Sequence, residues 1–161
     1  MSRAFTREEN SETAITDIGE RPVSRHRNLV TRDGLAEIDA HVAALRRELA
    51  QAEAEGLRER IALVSRDLRY WKARRETAEL VAPHAGADVV RFGMTVTVAA
   101  DNGGEHRWTI VGEDEADVGK GKISHVSPMA RALFGKQTGE VASVNGRDWE
   151  IVAMDWPDAP A

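Results

Sequence analysis

Two apolar stripes with helical spacing lie on either side of a single glycine, and this arrangement restricts the fold more than any other feature. The first stripe follows Thr31, which can cap a helix, and the second follows Gly56. The stripes consist of Leu35, Ile38, Val42, Leu45, Leu49 and Ala52, then Leu57, Ile61, Val64, Leu68, Trp71 and, after an interruption at Arg75, Ala78. Gly56 suits a chain reversal, so the pattern predicts an antiparallel helical hairpin, with one continuous helix through Gly56 as the alternative.

The region after the hairpin shows short β-strand patterns instead. Pro83 cannot continue an ordinary helix, so the helical region ends there. Asn145-Gly146 is a strong hairpin-turn signal, and the DNGG sequence at 101 to 104 supplies another turn. These signals predict strands at 94 to 99, 106 to 111, 140 to 144 and 149 to 154, and a short helix at 128 to 134. The fold class is therefore α+β, with a helical hairpin followed by a small antiparallel-sheet domain.

The remaining boundaries and compartment follow from composition. Residues 1 to 30 are polar and lack periodicity, so we expect a flexible tail, then a hairpin arm at 31 to 82 and a sheet domain at 83 to 161. The absence of cysteine excludes disulfides, thiolate catalysis and cysteine-ligated zinc. No apolar run is long enough to cross a bilayer, so no membrane partner and a cytoplasmic location are expected.

The net charge of −5 lies entirely in the C-terminal half. Residues 83 to 161 carry 7 basic and 12 acidic side chains. Such a domain is poorly suited to grip a nucleic-acid backbone, and a protein partner with a basic surface fits it better. The helical segment at 66 to 75 is basic and aromatic, but nearby acids offset its charge, and Trp71 is expected to pack. Contact with RNA through these basic residues is the alternative.

Three stretches of the C-terminal half resemble the GreA/GreB-type transcription elongation factor family. They are VRFGMTVTV from Val90, WTIVGEDEAD from Trp108 and ISHVSPMARALFGKQTGE from Ile123. The order and spacing look like the family's FKBP-like C-terminal domain, and the helical hairpin precedes it as expected. The short arm is similar to that of the Rnk proteins. The resemblance implies a monomer that binds RNA polymerase at its secondary channel, close to the DNA or RNA of the transcription complex, without a cofactor.

The resemblance also implies which residues dock. In the family, docking involves the loop around a Ser-Pro motif, here Ser127 and Pro128, and the acidic run matches the family's GxDEAD pattern. The docking candidates are therefore Ser127, Pro128, Glu113, Asp114, Glu115 and Asp117. Each has a simpler explanation as well. Ser127 with Pro128 suits a helix start, and acidic runs are usually solvated loops.

The hairpin tip lacks the acidic stretch that the resemblance associates with transcript cleavage. In cleavage factors, carboxylates after a Gly-Asp pair help to hold a second magnesium ion in the polymerase. Here Gly56 is followed by Leu57, and the tip acids are Glu53, Glu55 and Glu59. The first helix is also short, roughly 30 Å long for about 20 residues. We therefore expect no catalytic residue, no metal site and no strong stimulation of cleavage.

Three other functions remain open. The chain could be a transcript-cleavage-stimulating Gre factor, a coiled-coil adaptor, or an FKBP-like prolyl isomerase. An isomerase needs an aromatic pocket, and the available aromatic residues are scattered through the sequence, as expected of a core: Phe92, Trp108, Phe134, Trp149 and Trp156. The five histidines show no ligand spacing and are expected at the surface: His26, His41, His84, His106 and His125.

Overall fold

A computed structural model of the protein describes residues 18 to 84 and 86 to 157. Among these, residues 18 to 25 and 38 to 77 form a helical unit. Residues 26 to 37, 78 to 84 and 86 to 157 form a sheet unit. The part of the predicted tail before residue 18 lies outside the described residues.

The hairpin predicted from the two apolar stripes is confirmed. Helix α1 spans Arg32–Glu55 and helix α2 spans Arg58–Thr77, and the first residues of α1 count with the sheet unit. Gly56 has a positive φ of 67°, and the Leu57 N–H donates to the Ala52 carbonyl at 3.0 Å. A left-handed residue closes α1 here, which excludes one continuous helix.

The two helices pack through the predicted stripes. The buried apolar residues of the helical unit are Ile38, Val42, Ala52, Val64 and Leu68. The rings of His41 and Trp71 stack with centroids 4.0 Å apart, which confirms a packing role for Trp71. Ion pairs join the helices at both ends, Arg75 with Asp39 at 2.6 Å and Arg60 with Glu48 at 2.5 Å.

Two details of the second stripe were predicted wrongly. Leu57 is 43% exposed because α2 begins only at Arg58, which leaves Leu57 in the turn. Ala78 lies beyond the end of α2, which ends at Thr77. Arg74, which is not part of the stripe, is buried and has an interaction partner within the chain, as a buried arginine requires.

Within the helical unit, residues of the segment 18 to 25 contact helix α2. The Arg69 guanidinium donates to the Glu20 carboxylate at 2.6 Å, and Arg21 pairs with Asp67 at 3.5 Å. The Arg21 guanidinium also lies 3.9 Å from the centroid of the Tyr70 ring. These contacts differ from the flexible chain that the sequence predicts for this segment.

The sheet unit contains seven strands, one short helix and one 3₁₀ turn. The elements are β1 (Leu29–Val30), β2 (Glu79–Leu80), β3 (Thr95–Ala100), β4 (Glu105–Val111), the 3₁₀ turn (Val118–Lys120), β5 (Lys122–Ser124), α3 (Pro128–Leu133), β6 (Val141–Val144) and β7 (Arg147–Asp155). Both predicted β-hairpins and the predicted short helix are confirmed. Asn145 and Gly146 both have positive φ, as their turn requires.

The main sheet has the strand order β5-β4-β3-β7-β6. Three of its four pairings are antiparallel, as predicted, whereas β5 lies parallel to β4. A second sheet consists of β1 and β2, which pair in parallel through Leu29 with Glu79 and Val30 with Leu80. The sequence indicated none of β1, β2 and β5, which have only two or three residues each.

Helix α3 and one face of the main sheet form the core of this unit. The core residues are Val90, Phe92, Val96, Val98, Ile110, Ile123, Ala130, Leu133, Ala142 and Ile151. Strand alternation accounts for most of them, since Val96 and Val98 lie two residues apart on the same face. The FKBP-like label for this domain stays a prediction. No helix within the described ranges is long and apolar enough to span a membrane.

Gly56 provides a direct test of the hairpin turn. Gly56→Ala should lower the free energy of unfolding by about 1 kcal/mol, because alanine is disfavoured at positive φ. Gly19→Ala is the matched control, since neither position has an atom within 4 Å of an added Cβ and only Gly56 has positive φ. Urea unfolding followed by helical circular dichroism measures both. Equal stability of the two variants would contradict a left-handed turn at Gly56.

Candidate functional site

Two of the segments predicted to dock begin at the same end of the sheet. Strands β4 and β5 are parallel neighbours, with Val111 opposite Ser124, so the loops that follow them start side by side. The His125 N–H donates to the Val111 carbonyl at 2.9 Å, which continues the pairing beyond β5. The acidic loop at 112 to 117 and the Ser-Pro loop at 125 to 128 therefore begin side by side at this end of the two strands, which we call the β4–β5 edge.

Gly112, the first residue of the acidic loop, has a steric role. A Cβ at this position would lie 2.4 Å from the backbone oxygen of Leu29, far inside van der Waals contact. Leu29 belongs to β1, which the backbone of β2 holds in place. Because the glycine of the GEDEAD run has no side chain, the segment that precedes helix α1 can pass close to it.

Glu115 is buried and anchors the start of helix α1. The Thr31 hydroxyl donates to Glu115 Oε1 at 2.5 Å, and Lys122 Nζ lies 3.5 Å from Oε2. The same Thr31 oxygen accepts from the Gly34 N–H at 3.0 Å, which confirms Thr31 as the cap of α1. A carboxylate is stabilised at a helix N-terminus because the first amide groups point toward it. Burial leaves Glu115 without the exposed surface that docking needs.

Gly34 completes this anchor. A Cβ at Gly34 would lie 2.5 Å from Glu115 Oε1. The absence of a side chain in the first turn of α1 therefore makes room for the carboxylate. The sequence marks Gly34 only as a poor helix former, so its value becomes visible from the tertiary contact alone.

Ser127 and Pro128 begin helix α3. The Ser127 hydroxyl oxygen accepts from the Ala130 N–H at 3.3 Å, and Pro128 occupies the first helical turn. The capping explanation for this pair is thus confirmed, while a docking role stays a prediction. Ser127 is half-buried and Pro128 is exposed, so Pro128 is the member of the pair that a partner can contact.

The other predicted docking acids differ in exposure. Glu113 and Asp114 are half-buried and both have interaction partners within the chain. Asp117 is exposed, and its backbone forms a bridge with Lys122 that closes the acidic loop. The interpretation as a solvated loop therefore fits Asp117 best, and Asp117 is also the acid most available to a partner.

His125 is a buried residue that the sequence analysis placed wrongly at the surface. Its ring packs edge-on against Phe92, with centroids 5.6 Å apart, and only 9% of the residue is exposed. Burial lowers the pKa of His125 below its ordinary value of 6.5, opposed by the nearby Glu113 carboxylate. The available signal was alternation, because Ile123 in the core lies two residues earlier.

The hairpin tip is exposed to solvent, and so are its acidic residues. Glu53, Glu55 and Glu59 are all solvent-exposed, and Gln51 donates to Glu55 at 3.4 Å. Leu57 and Leu63 are also exposed, so the tip presents apolar as well as acidic groups. No group of acidic, histidine or cysteine side chains that could hold a metal ion occurs within residues 18 to 84 and 86 to 157.

The basic residues of α2 are mostly neutralised. Arg66 contacts Asp67 at 3.3 Å, and Arg69 and Arg75 bind Glu20 and Asp39. Such pairing reduces the net positive field that would attract a phosphate backbone. The pairing favours a structural role for this segment over RNA contact.

The aromatic residues of the sheet unit partly converge. Trp108 and Trp149 pack against the core, and the His106 ring lies 5.7 Å from Trp108 and 5.5 Å from Trp149. Trp156 instead lines a separate, small cavity of about 50 Å³ beside Leu80 and Pro83. The expectation that Phe92 belongs to the core is confirmed.

Comparison with known proteins gives consistent matches to one group. Residues 82–154 match the family described as "Transcription elongation factor, GreA/GreB, C-term". Transcription elongation factor GreA of Hyphomonas neptunium is 51% identical over 74 residues, which cover 43% of this chain and 47% of that protein. The GreA of Thioalkalivibrio sulfidiphilus is 38% identical over 113 residues, 65% of this chain and 71% of that protein.

The matches with several curated relatives span about half of their length. Among solved structures, GreA factor homolog 1 of Thermus thermophilus aligns with 81% of this chain and 99% of its own. That alignment has a TM-score of 0.40 and 21% identity.

Replacement of Gly112 tests the steric role of the acidic loop. Gly112→Ala should destabilise the sheet unit by about 1–3 kcal/mol, because the added methyl group meets a backbone oxygen that cannot move independently. Gly119→Ala is the matched control, since its Cβ would lie 3.3 Å from the flexible Asp117 carboxylate. Denaturant unfolding followed by tryptophan fluorescence compares the two. A Gly112→Ala variant as stable as the control would refute the close approach of Leu29.

Proposed function

The chain belongs to the GreA/GreB family of transcription elongation factors, and from this premise we propose that it regulates elongation by binding bacterial RNA polymerase at the secondary channel. The observation that carries the proposal is the match of residues 82–154 to the family's C-terminal region. That stretch contains both loops at the β4–β5 edge. No catalysis by the chain itself is required, and it acts as a cytoplasmic monomer.

The charge of the sheet unit supports a protein partner with a basic surface. The excess of acidic over basic residues lies in residues 83 to 161, and Asp117 is exposed in the acidic loop. Complementary charge increases the association rate of such complexes and makes binding sensitive to salt. Pro128 adds an exposed apolar contact at the neighbouring loop. We propose Asp117 and Pro128 as the accessible centre of the docking surface, with Glu113, Asp114 and Ser127 at its margin.

Glu115 contributes to docking indirectly. Its carboxylate holds Thr31 and lies beside Lys122, so it stabilises the loop that presents Asp117. We therefore propose a positioning role for Glu115 in place of direct contact with the polymerase.

The tip supports a regulator without strong cleavage stimulation. Helix α1 has 24 residues and α2 has 20, which correspond to about 36 Å and 30 Å. Gly56 precedes Leu57, an exposed apolar residue, where cleavage factors are expected to carry Asp. Metal ligation needs carboxylate oxygens within about 2.1 Å of the ion. The apolar side chain of Leu57 after Gly56 supplies no such oxygen.

The adaptor and isomerase alternatives have less support. The large exposed hydrophobic residues of the described helical hairpin are Leu57 and Leu63, both near the tip, so they do not form a stripe along a helix. Phe92, Trp108 and Trp149 contribute to the core of the sheet unit or pack against it. The channel-binding regulator therefore remains the proposal, with a cleavage-stimulating factor as the second candidate.

Polymerase binding tests the docking surface. The double variant Asp117→Lys, Pro128→Ala should bind core RNA polymerase about fivefold more weakly, since it removes an apolar contact and reverses an exposed charge. Glu105→Lys, at the far end of β4, makes the same charge change away from the loops and serves as the control. Binding is measured by fluorescence anisotropy at low and moderate salt. Absence of wild-type binding at low salt would contradict the proposed function. An equal loss of polymerase affinity in the double variant and in the control would contradict the assigned docking surface.

An arrested-complex assay tests the tip. Addition of the protein should leave transcript cleavage at the rate of polymerase alone, while a GreA relative accelerates it in parallel. Vigorous cleavage that disappears in the triple variant Glu53→Gln, Glu55→Gln, Glu59→Gln would establish the cleavage-factor alternative instead.

A further inference from the structure

The segment from His26 to Val30 lies on the sheet unit as a strap, attached through its backbone and through Leu29, which packs against the core. The Glu79 N–H donates to the Asn28 carbonyl at 2.8 Å, and the Val81 N–H donates to the Val30 carbonyl at 3.0 Å. Asn28 and Val30 are buried. The Arg27 guanidinium adds an exposed ion pair with Glu79 at 2.6 Å, a kind of contact that contributes little stability.

His125 lies close to this strap, at the start of the Ser-Pro loop. Its backbone N–H donates to the Val111 carbonyl at 2.9 Å, and the next residue after Val111, Gly112, lies against the Leu29 backbone of the strap. The Arg27 backbone acts on the ring and favours its protonated form. Ring atom Nε2 is buried and has no hydrogen-bond partner within the described residues. The edge-on contact with Phe92 closes the ring from the side of the core. The neutral imidazole is therefore enclosed between the strap and the core.

The charges around His125 come from each of the neighbouring elements. His26 of the strap and Arg131 of α3 disfavour a positive ring, whereas Glu113 of the acidic loop and the Arg27 backbone favour it. Burial is the largest influence and lowers the pKa of His125. Protonation is thus easier when the ring is exposed to solvent. As the pH falls below the ordinary value of 6.5, a state with an exposed ring gains stability relative to the closed state.

The strap is the element that can expose the ring at least cost. Phe92 belongs to the core, and its displacement would disrupt many apolar contacts. The strap pairs with β2 over only two residues on each strand. Elements with few buried contacts open locally at a lower free energy than the global unfolding of the unit.

We propose that His125 is an acid-sensitive latch: its protonation releases the strap from His26 to Val30 and uncovers the edge of the sheet unit that carries Glu113 and Ser127. At neutral pH the ring is uncharged and the strap stays bound. The latch concerns the chain alone. Only its consequence for docking rests on the proposed function.

Amide exchange measures attachment of the strap directly. The reporters are the Glu79 and Val81 N–H groups, whose acceptors belong to the strap, and the reference is the Gly139 N–H, which donates to Ile151 at 2.7 Å. Between pH 7.5 and 5.5, protection factors corrected for intrinsic exchange should fall at the reporters, because protonation of His125 favours the state with an exposed ring. Protection of the reference amide should stay constant.

Two variants separate His125 from other titrating groups. His125→Asn keeps a polar side chain at this position but cannot be protonated, so its reporter protection should no longer depend on pH. His84→Asn is the matched control, because it removes an exposed histidine close in sequence to the reporters and should respond as the wild type does. A pH response that persists in His125→Asn would overturn the latch, since His26 remains in that variant.

A titration of the wild type keeps the test independent of how the variant folds. The imidazole signal of His125 in NMR spectra should titrate below the ordinary pKa value of 6.5. Loss of reporter protection should level off near the His125 midpoint. An ordinary midpoint for His125, or constant protection at Glu79 and Val81 throughout, would overturn the proposal.

The docking consequence has its own measurement. Polymerase affinity between pH 7.5 and 5.5 should change in the wild type and stay nearly constant in His125→Asn after the same buffer correction. If the wild type does not bind polymerase at any pH, the proposed function fails while the exchange data still decide the latch.

Discussion

The close approach of the Leu29 backbone to Gly112 is the constraint on which the attachment of the N-terminal chain depends. A carbonyl oxygen occupies the space of a side chain, so β1 can pair with β2 and Thr31 can reach Glu115. Thr31 then caps α1 with the same hydroxyl oxygen. The point where the chain leaves the sheet unit and the first helix starts is thereby defined by three groups. These are the absent side chain of Gly112, the buried Glu115 carboxylate and the Thr31 hydroxyl. The Leu29–Gly112 and Thr31–Glu115 contacts join residues far apart in the chain, and because Leu29 and Thr31 are only two residues apart, the two contacts depend on each other.

This network changes the meaning of the family-like acidic run. A sequence of four acids suggests a charged docking surface, yet its members have different environments. Glu115 is buried and structural, Glu113 and Asp114 are half-buried, and Asp117 is exposed. The run therefore combines a residue that holds the start of α1 with a residue that is open to solvent. The same duality holds for Ser127, whose hydroxyl caps α3 beside the exposed Pro128.

Electrostatics divides the chain in a similar way. The helical unit contains many charges of both signs, but Arg60, Arg69 and Arg75 find acidic partners within the unit. The sheet unit retains an acidic excess, with Asp117 exposed to solvent. A basic partner surface would therefore be attracted to the sheet unit, whereas the exposed large hydrophobic residues of the described hairpin, Leu57 and Leu63, lie near its tip. His125 adds a titratable group to the same edge, in a place where burial keeps it neutral.

The sequence alone determined the helical hairpin, its turn at Gly56, both β-hairpins and the helix that begins at Ser127, because periodicity and turn chemistry act over neighbouring residues. The resemblance correctly indicated the family, since whole motifs are matched in order. Only the tertiary structure decided that β5 runs parallel to β4, that Leu29–Val30 pairs with Glu79–Leu80, and that Glu115 and His125 are buried. These features join residues far apart in the chain, and strands of two or three residues have no periodicity to read. A charged or polar side chain is buried only where a distant partner satisfies it, so such burial cannot be inferred from its local sequence.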